Sequence, residues 1–385
     1  MRPTRLAFIL PGLVAGGAER VVSSLANFWA EHDHEVAIIT FESRETKPFY
    51  TIDSRIKLIC LGIPTGMSSR WQSLELIWRR IRDLRIALRA LNPEVIVSFL
   101  TRVNVITLAA SRGLGIPVII SERNNPENQR ASVVWSWARA LFYPTAFAFV
   151  TMTARALSFY PEAQRPRARL IPNPITVPKI SLAHRSGRTL TAVGRLVPQK
   201  GFDLLLRAFA AVASEFSEWN LVIWGEGELR SDLEAQRDRL GFKERVKFPG
   251  LTKSPGVWIE TADVFVLSSR FEGWANVLAE ALGAGLPIVA FDCAYGPAEM
   301  IEDGVSGVLV AREDVGALAA ALRSVLGSSS LREKLGVAAA ERAKQFTVPA
   351  IAQRWEELFI EALEHETPAR APTSLPPTGL AADNR

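Results

Sequence analysis

Disulfides are the first thing this 385-residue chain does without. Its two cysteines, Cys60 and Cys293, lie far apart within apolar runs. They exclude a disulfide framework and indicate free, buried thiols in a reducing compartment. No stretch of about 18 apolar residues runs uninterrupted by charge, so no membrane-spanning helix is expected. The opening MRPTRLAFILPGLVAGGAER resembles a short secretion signal, but its apolar run is brief and ends in a glycine turn. It is therefore read as a first β-strand and not as a targeting segment. The glycines that follow, Gly12, Gly16 and Gly17, lack the G-x-G-x-x-G spacing, which argues against a nicotinamide enzyme.

What the chain does contain is apolar mass and an uneven charge. Hydrophobic residues make up 48% of it and tryptophan occurs ten times, enough for two sizeable cores. The net charge of +5 conceals an asymmetry: residues 1–185 carry 24 Lys/Arg against 13 Asp/Glu, and residues 186–385 carry 21 against 27. A basic first half fits an anionic partner, whether membrane surface, diphosphate lipid or nucleic acid.

Strand-like apolar runs alternate with helical stretches twice over. The first series runs from the strand Arg5–Pro11 to the strand Ala146–Thr151, with a long helix predicted over Gln72–Leu91. A break follows at Asn173–Ser186, marked by Pro174 and Pro178. The second series starts at the strand Thr189–Val193 and ends in helices near Val315–Leu326, Ser330–Gln345 and Ala350–Glu364. This βα alternation predicts an α/β protein with parallel, doubly wound sheets. The expected division is a domain over 1–180, a domain over 187–347 and a helix over 348–365 returning to the first domain. The polar, proline-containing tail 366–385 is expected to be disordered.

The most informative stretch is SSRFEGWANVLAEALGAGLPIVAF, residues 268–291. It has the form strand end, tight turn, helix, corner, strand. Glu272 falls in the turn beside Gly273, and Glu280 about two turns into the helix. The first helical amides, at Asn276, Val277 and Leu278, lack an intrahelical acceptor and sit at the positive end of the helix dipole. They form an anion site of the kind that binds phosphate. In the second half, VGRLVPQKGFD (193–203) places Arg195 and Lys200 on a strand-end loop, where two cations stabilise a departing diphosphate.

These strings resemble the retaining glycosyltransferases of family 4: the E-x7-E signature with FEG-x-x-NVL-x-EA, and the GR-x(4)-KG pattern. The resemblance covers roughly residues 5–362. It implies the GT-B fold, two Rossmann-like domains with parallel sheets facing across a cleft. It implies that Arg195 and Lys200 contact the donor diphosphate, that Glu280 binds the ribose and that Glu272 meets the transferred sugar. Further donor contacts are implied at Gly16 and Gly17, at Gly225 and Gly227 in WGEGE, at Gly250 and Leu251 after the next strand, and at Gly273, Asn276, Val277 and Leu278. Pro172-Asn173-Pro174 resembles the family's hinge element.

One departure stands out. Many family members carry a histidine on the strand-end loop at 119–126, where this chain has Ser121-Glu122-Arg123. None of His32, His34, His184 and His365 is placed to substitute for it. The variant, with GGAERVV at the start, resembles bacterial transferases that move N-acetylgalactosamine or a related sugar onto polyprenyl-diphosphate-linked or surface glycans. Glu122 and Arg123 become the acceptor-binding candidates. The chain lacks Asp-x-Asp, so no obligatory metal and no cofactor are expected. The implied donor is a UDP-sugar, with GDP-mannose as the main alternative and a GT-B epimerase as another. Implied partners are the donor, a lipid-linked or glycan acceptor and the anionic inner face of the cell membrane. Nucleic acid is not among them, and the location expected is cytoplasmic. Residues 70–91 supply basic and aromatic residues suited to such a surface, among them Trp71, Trp78, Arg79 and Arg82.

Overall fold

The computed structural model describes residues 2–14, 16–43, 45–63, 70–123, 133–175, 187–252 and 256–365. The expected tail 366–385, most of the linker and the end of the 119–126 loop lie outside them. Two parallel sheets make up the fold, each the core of a Rossmann-like domain, as the alternating pattern predicts.

The first domain runs β1 (Arg5–Leu10), α1 (Gly17–Glu31), β2 (Glu35–Thr40), β3 (Lys57–Cys60), α2 (Arg70–Leu91), β4 (Val95–Phe99), α3 (Thr101–Ser111), β5 (Val118–Ser121), α4 (Val133–Phe142), β6 (Ala148–Thr151), α5 (Ala154–Leu157) and β7 (Ala168–Leu170). The second runs β8 (Thr189–Val193), α6 (Phe202–Val212), β9 (Asn220–Trp224), α7 (Arg230–Arg239), β10 (Val246–Gly250), β11 (Val264–Leu267), α8 (Asn276–Gly283), β12 (Ile288–Asp292), α9 (Pro297–Met300), β13 (Val308–Ala311), α10 (Val315–Gly327) and α11 (Ser329–Ala343). Helix α12 (Val348–His365) follows. The strand orders are β3-β2-β1-β4-β5-β6-β7 and β10-β9-β8-β11-β12-β13. Each order reverses beside its first strand, which opens a crevice at the carboxyl ends of β1/β4 and of β8/β11.

Sequence patterning missed two strands, and both are edges. β7 is half-buried and mixed in polarity; β13 is a four-residue strand after a glycine turn. β7 lacks the continuous apolar run of the central strands, and β13, VLVA, is apolar but only partly buried, since an edge strand buries less of itself.

Each sheet is covered on both faces. In the first domain, α1 and α12 bury Trp29, Trp355 and Phe359 with Phe8 and Phe99, while α2, α3 and α4 cover the opposite face. In the second, α6 and α10 lie on one face and α8 on the other. Helix α12 starts beyond the second domain and ends in the first. The chain crosses where the Ile175 amide donates to the Phe346 carbonyl at 2.7 Å. Trp29 Nε1 then donates to Glu356 at 3.0 Å, fastening the helix to α1.

Candidate active site

The β11–α8 turn carries the two glutamates. Its Glu272 amide donates to the Ala294 carbonyl at 3.3 Å, which pins the turn against the loop after β12. Glu272 is buried, and its Oε1 accepts from Lys200 Nζ and from the Ser269 hydroxyl, both at 2.6 Å. The lysine arrives from the loop after β8 because that loop is sewn to the turn. Ser268 donates to the Lys200 carbonyl at 2.9 Å, and the Arg270 amide to the Gln199 carbonyl at 2.8 Å. Gly201 permits the approach: its φ is +62°, and a Cβ there would stand 2.1 Å from the Ser268 carbonyl oxygen. Cys293 lies behind the pair, and burial first, then the Glu272 charge, pushes its thiol up to about 12. It is a packed residue and no nucleophile.

Arg195 shares the lysine's loop but is exposed and makes no ion pair among the described residues. It is the cation open to an incoming anion. At the start of α8, the Leu278 amide turns back to the Ala275 carbonyl at 3.0 Å. The expected anion site therefore narrows to the amides of Asn276 and Val277. Gly273 sits in the turn between Glu272 and Trp274.

The other candidate glycines, Gly225, Gly227 and Gly250, pack against protein. A Cβ on Gly225 would meet the Gly194 carbonyl oxygen at 1.9 Å, and one on Gly227 the Leu196 carbonyl oxygen at 2.4 Å. They let two strand-end loops touch. Gly250 has φ +89°, and its Cβ position lies 2.9 Å from Glu226. Leu251 is 73% exposed.

The first domain reaches the same place from the other side. Tyr50 donates to the Gly16 carbonyl at 3.2 Å, holding the loop after β1. Gly17 opens α1 so close to α8 that an added Cβ would lie 3.2 Å from the Asn276 side chain. Arg20, one turn on, forms an ion pair with Glu280, whose other oxygen accepts from Trp258 Nε1 at 3.1 Å. Asn173 donates to Asn276 Oδ1 at 3.1 Å. Sequence reasoning gave Arg20 no role, although it lies within the GGAERVV string; nothing local says that it faces α8.

Glu122 and Arg123 require a correction as acceptor contacts. Glu122 is enclosed in the first domain, where Thr101 and Asn104 donate to it at 3.0 and 3.2 Å and Tyr143 makes a further hydrogen bond. Burial raises its carboxyl above the ordinary value against those hydrogen bonds. Arg123 lies between Phe99 and Trp355, its guanidinium 5.4 and 5.8 Å from the ring centres. It donates to Asn173 Oδ1 at 2.6 Å, and burial lowers its pKa to about 9. Both side chains are turned into packed protein at the end of β5 and do not present themselves to a ligand. Among the described residues the histidines stay away from this cleft: His34 accepts from the Thr4 amide at 3.2 Å, and His365 ends α12; His184 lies outside the described residues. Among the described residues, no group of three or more His, Cys, Asp or Glu is placed to hold a metal ion.

Comparison with known proteins gives two matching family descriptions, "Glycosyl transferase 4-like domain" over residues 16–174 and "Glycosyl transferases group 1" over residues 177–342. A Campylobacter jejuni enzyme, GalNAc-alpha-(1->4)-GalNAc-alpha-(1->3)-diNAcBac-PP-undecaprenol alpha-1,4-N-acetyl-D-galactosaminyltransferase, is 30% identical over 361 residues, spanning 93% of this chain and 98% of its own. The amylovoran biosynthesis glycosyltransferase AmsD of Erwinia amylovora is 23% identical, spanning 92% and 99%. Sucrose-phosphate synthase from Thermosynechococcus elongatus superposes with a TM-score of 0.75 at 18% identity, over 94% of this chain and 99% of that one. Anabaena HepE in complex with UDP and glucose gives 0.72 at 19%, over 93% and 99%. At these identities the structures share the fold.

Proposed function

The chain belongs to the glycosyl transferases group 1 family, and from that premise we propose that it is a retaining, metal-independent transferase. It moves N-acetylgalactosamine or a related hexose from a UDP-sugar to a lipid-linked or polysaccharide glycan. The observation that carries this reading is the Lys200–Glu272 pair at 2.6 Å, beside the open start of α8 and the exposed Arg195. A cation, an acid and two free amides converge where a diphosphate and its sugar would meet. The relatives support the sugar and the acceptor: the Campylobacter enzyme is named for N-acetylgalactosamine and an undecaprenyl-diphosphate glycan. The Anabaena structure supports uridine, since it contains UDP.

The chemistry follows from the groups present. The acceptor oxygen bonds to the anomeric carbon on the face from which the diphosphate leaves. The bond to the leaving phosphate oxygen breaks, and that oxygen takes the acceptor's proton. No protein nucleophile is needed. Arg195 and Lys200 stabilise the charge that grows on the leaving diphosphate, a term worth about 10²–10³ in rate for one well-placed donor. Glu272 orients the sugar and Glu280 the ribose. The enzyme meets its lipid-linked acceptor at the anionic inner face of the membrane through the α2/α4 side of the first domain.

The test is a panel of UDP, GDP, ADP and NAD scored by thermal shift with and without chelator, followed by turnover of UDP-N-acetylgalactosamine. A selective UDP shift that survives chelation is expected, about 2.7 kcal/mol at a hundredfold excess over Kd. Glu272→Ala is expected to keep that shift and lose turnover. Full turnover by Glu272→Ala, or no shift with any diphosphate, would overturn the reading.

A further inference from the structure

Two cleft-facing residues of α8 are held by the opposite domain. Asn276 and Glu280 stand four apart and so share one face of the helix. Asn276 accepts from Asn173, itself anchored by Arg123. Glu280 is paired with Arg20 of α1, and the two side chains are 6% and 20% exposed. Trp258 Nε1 supplies the carboxylate's other contact from within the second domain. Of these two holds on Glu280, one is permanent, and the other exists only while α1 and α8 are close.

An ion pair this far from water contributes little net stability, because desolvating both charges offsets their attraction; its better attested use is to fix geometry. A guanidinium has five donors in a rigid fork, so it can orient a carboxylate and leave acceptor sites on it free. The ribose hydroxyls of a nucleotide are donors and need a correctly turned carboxylate. Arg20 turns it, but from the other domain. Opening of the cleft removes the arginine and leaves the carboxylate held by Trp258 alone.

We propose that Arg20 is a positioning residue of the donor site: by pairing with Glu280 across the cleft, it presents that carboxylate to the ribose hydroxyls in the closed arrangement only. Donor affinity is thus set by both domains, and nucleotide binding favours closure because only the closed form offers a fixed ribose site. Closure in turn limits hydrolysis of the donor by water. The inference rests on the reading of Glu280 as the ribose ligand.

The experiment compares wild type, Arg20→Gln, Arg20→Lys, Glu280→Gln and the Arg20→Gln/Glu280→Gln double variant. For each, donor KM and kcat are measured with the UDP-sugar and with its 2′-deoxyribose analogue. Arg20→Gln is expected to raise the donor KM about tenfold while kcat at saturation falls less than threefold, the signature of lost ground-state binding. It is also expected to lose most of the wild type's discrimination between ribose and deoxyribose, which a merely structural role would leave in place. The double variant is expected to be no worse than Glu280→Gln, since the two residues act as a unit. Arg20→Lys keeps the charge and is expected to recover part of the affinity; it carries the same comparison if Arg20→Gln fails to fold. Unchanged KM, retained discrimination, or additive losses in the double variant would overturn the proposal while leaving the transferase reading intact. A wild type that binds no nucleotide would overturn both.

Discussion

The acids of this molecule differ in what their surroundings let them do. Glu272 and Glu280 each have a cation in contact, whereas Glu122 has neutral donors only. Burial raises the Glu122 carboxyl above its unfolded value, so the folded state binds that proton more tightly than the unfolded one. The sign follows: its contribution to stability is full below the ordinary carboxylate pKa and is lost as pH rises toward the folded value. Thermal stability of the wild type is therefore expected to carry a falling component as pH rises above about 4.5. Glu122→Gln, which keeps the shape and the contacts with Thr101 and Asn104, is expected to remove that component. Melting curves taken across this range check it, and identical pH profiles would show that Glu122 stays ionised. The FEG-x-x-NVL string marks Glu272, but no sequence signal shows that Glu122 is enclosed by neutral donors; that comes from Tyr143 and Asn104, well separated from it in sequence.

Elements divide into those whose role is local and those whose role comes from their neighbours. The FEG-x-x-NVL string was legible because turn, helix start and both acids lie within one short segment. The loop of Lys200 was legible for the same reason, although its contact with Ser268 was not. Helix α4 was not. Its sequence, VVWSWARALF, has only Ser136 and Arg139 as polar residues, too few to mark which of its apolar residues are buried. Trp135, Ala138 and Phe142 face the core, while Val134, Trp137 and Leu141 are 68%, 75% and 70% exposed. α3 lies between α4 and α2 and packs against both, and the outward face of α2 carries Trp78, Arg79, Arg82 and Ile86. Exposed aromatics flanked by arginine match the interface of an anionic bilayer. Val134→Ser, Trp137→Ser and Leu141→Ser together are expected to cut co-sedimentation with phosphatidylglycerol vesicles at least fivefold. UDP binding should be unchanged, because none of the three touches the cleft. Equal co-sedimentation by the variant would remove α4 from the membrane contact.

At the scale of the whole molecule, α12 makes the two domains one chain in more than the covalent sense. The sequence announces a final helix and the expected division returns it to the first domain, but the residues it meets lie some three hundred positions earlier, in β1 and α1, and no local pattern names them. Trp355 is fully buried among Phe99, Phe359 and Arg123. Arg123 donates to Asn173, which donates to Asn276 at the start of the donor helix. The same tryptophan thus belongs to the core of the first domain and to the chain of contacts that ends in the second. Truncating a buried tryptophan to alanine costs about 3–5 kcal/mol. In a domain of this size each kcal/mol lowers the melting temperature by roughly 2–4 °C. Trp355→Ala is therefore expected to bring first-domain unfolding down by roughly 6–20 °C, splitting one calorimetric transition into two. The upper transition should be that of the second domain, which keeps Lys200, Glu272 and the α8 amides and so should still move upward with UDP. Donor KM should rise as well, because Asn173 and Arg123 lose the surface that aligns them. A single transition at the wild-type temperature would mean that α12 is carried by the fold and does not join its halves.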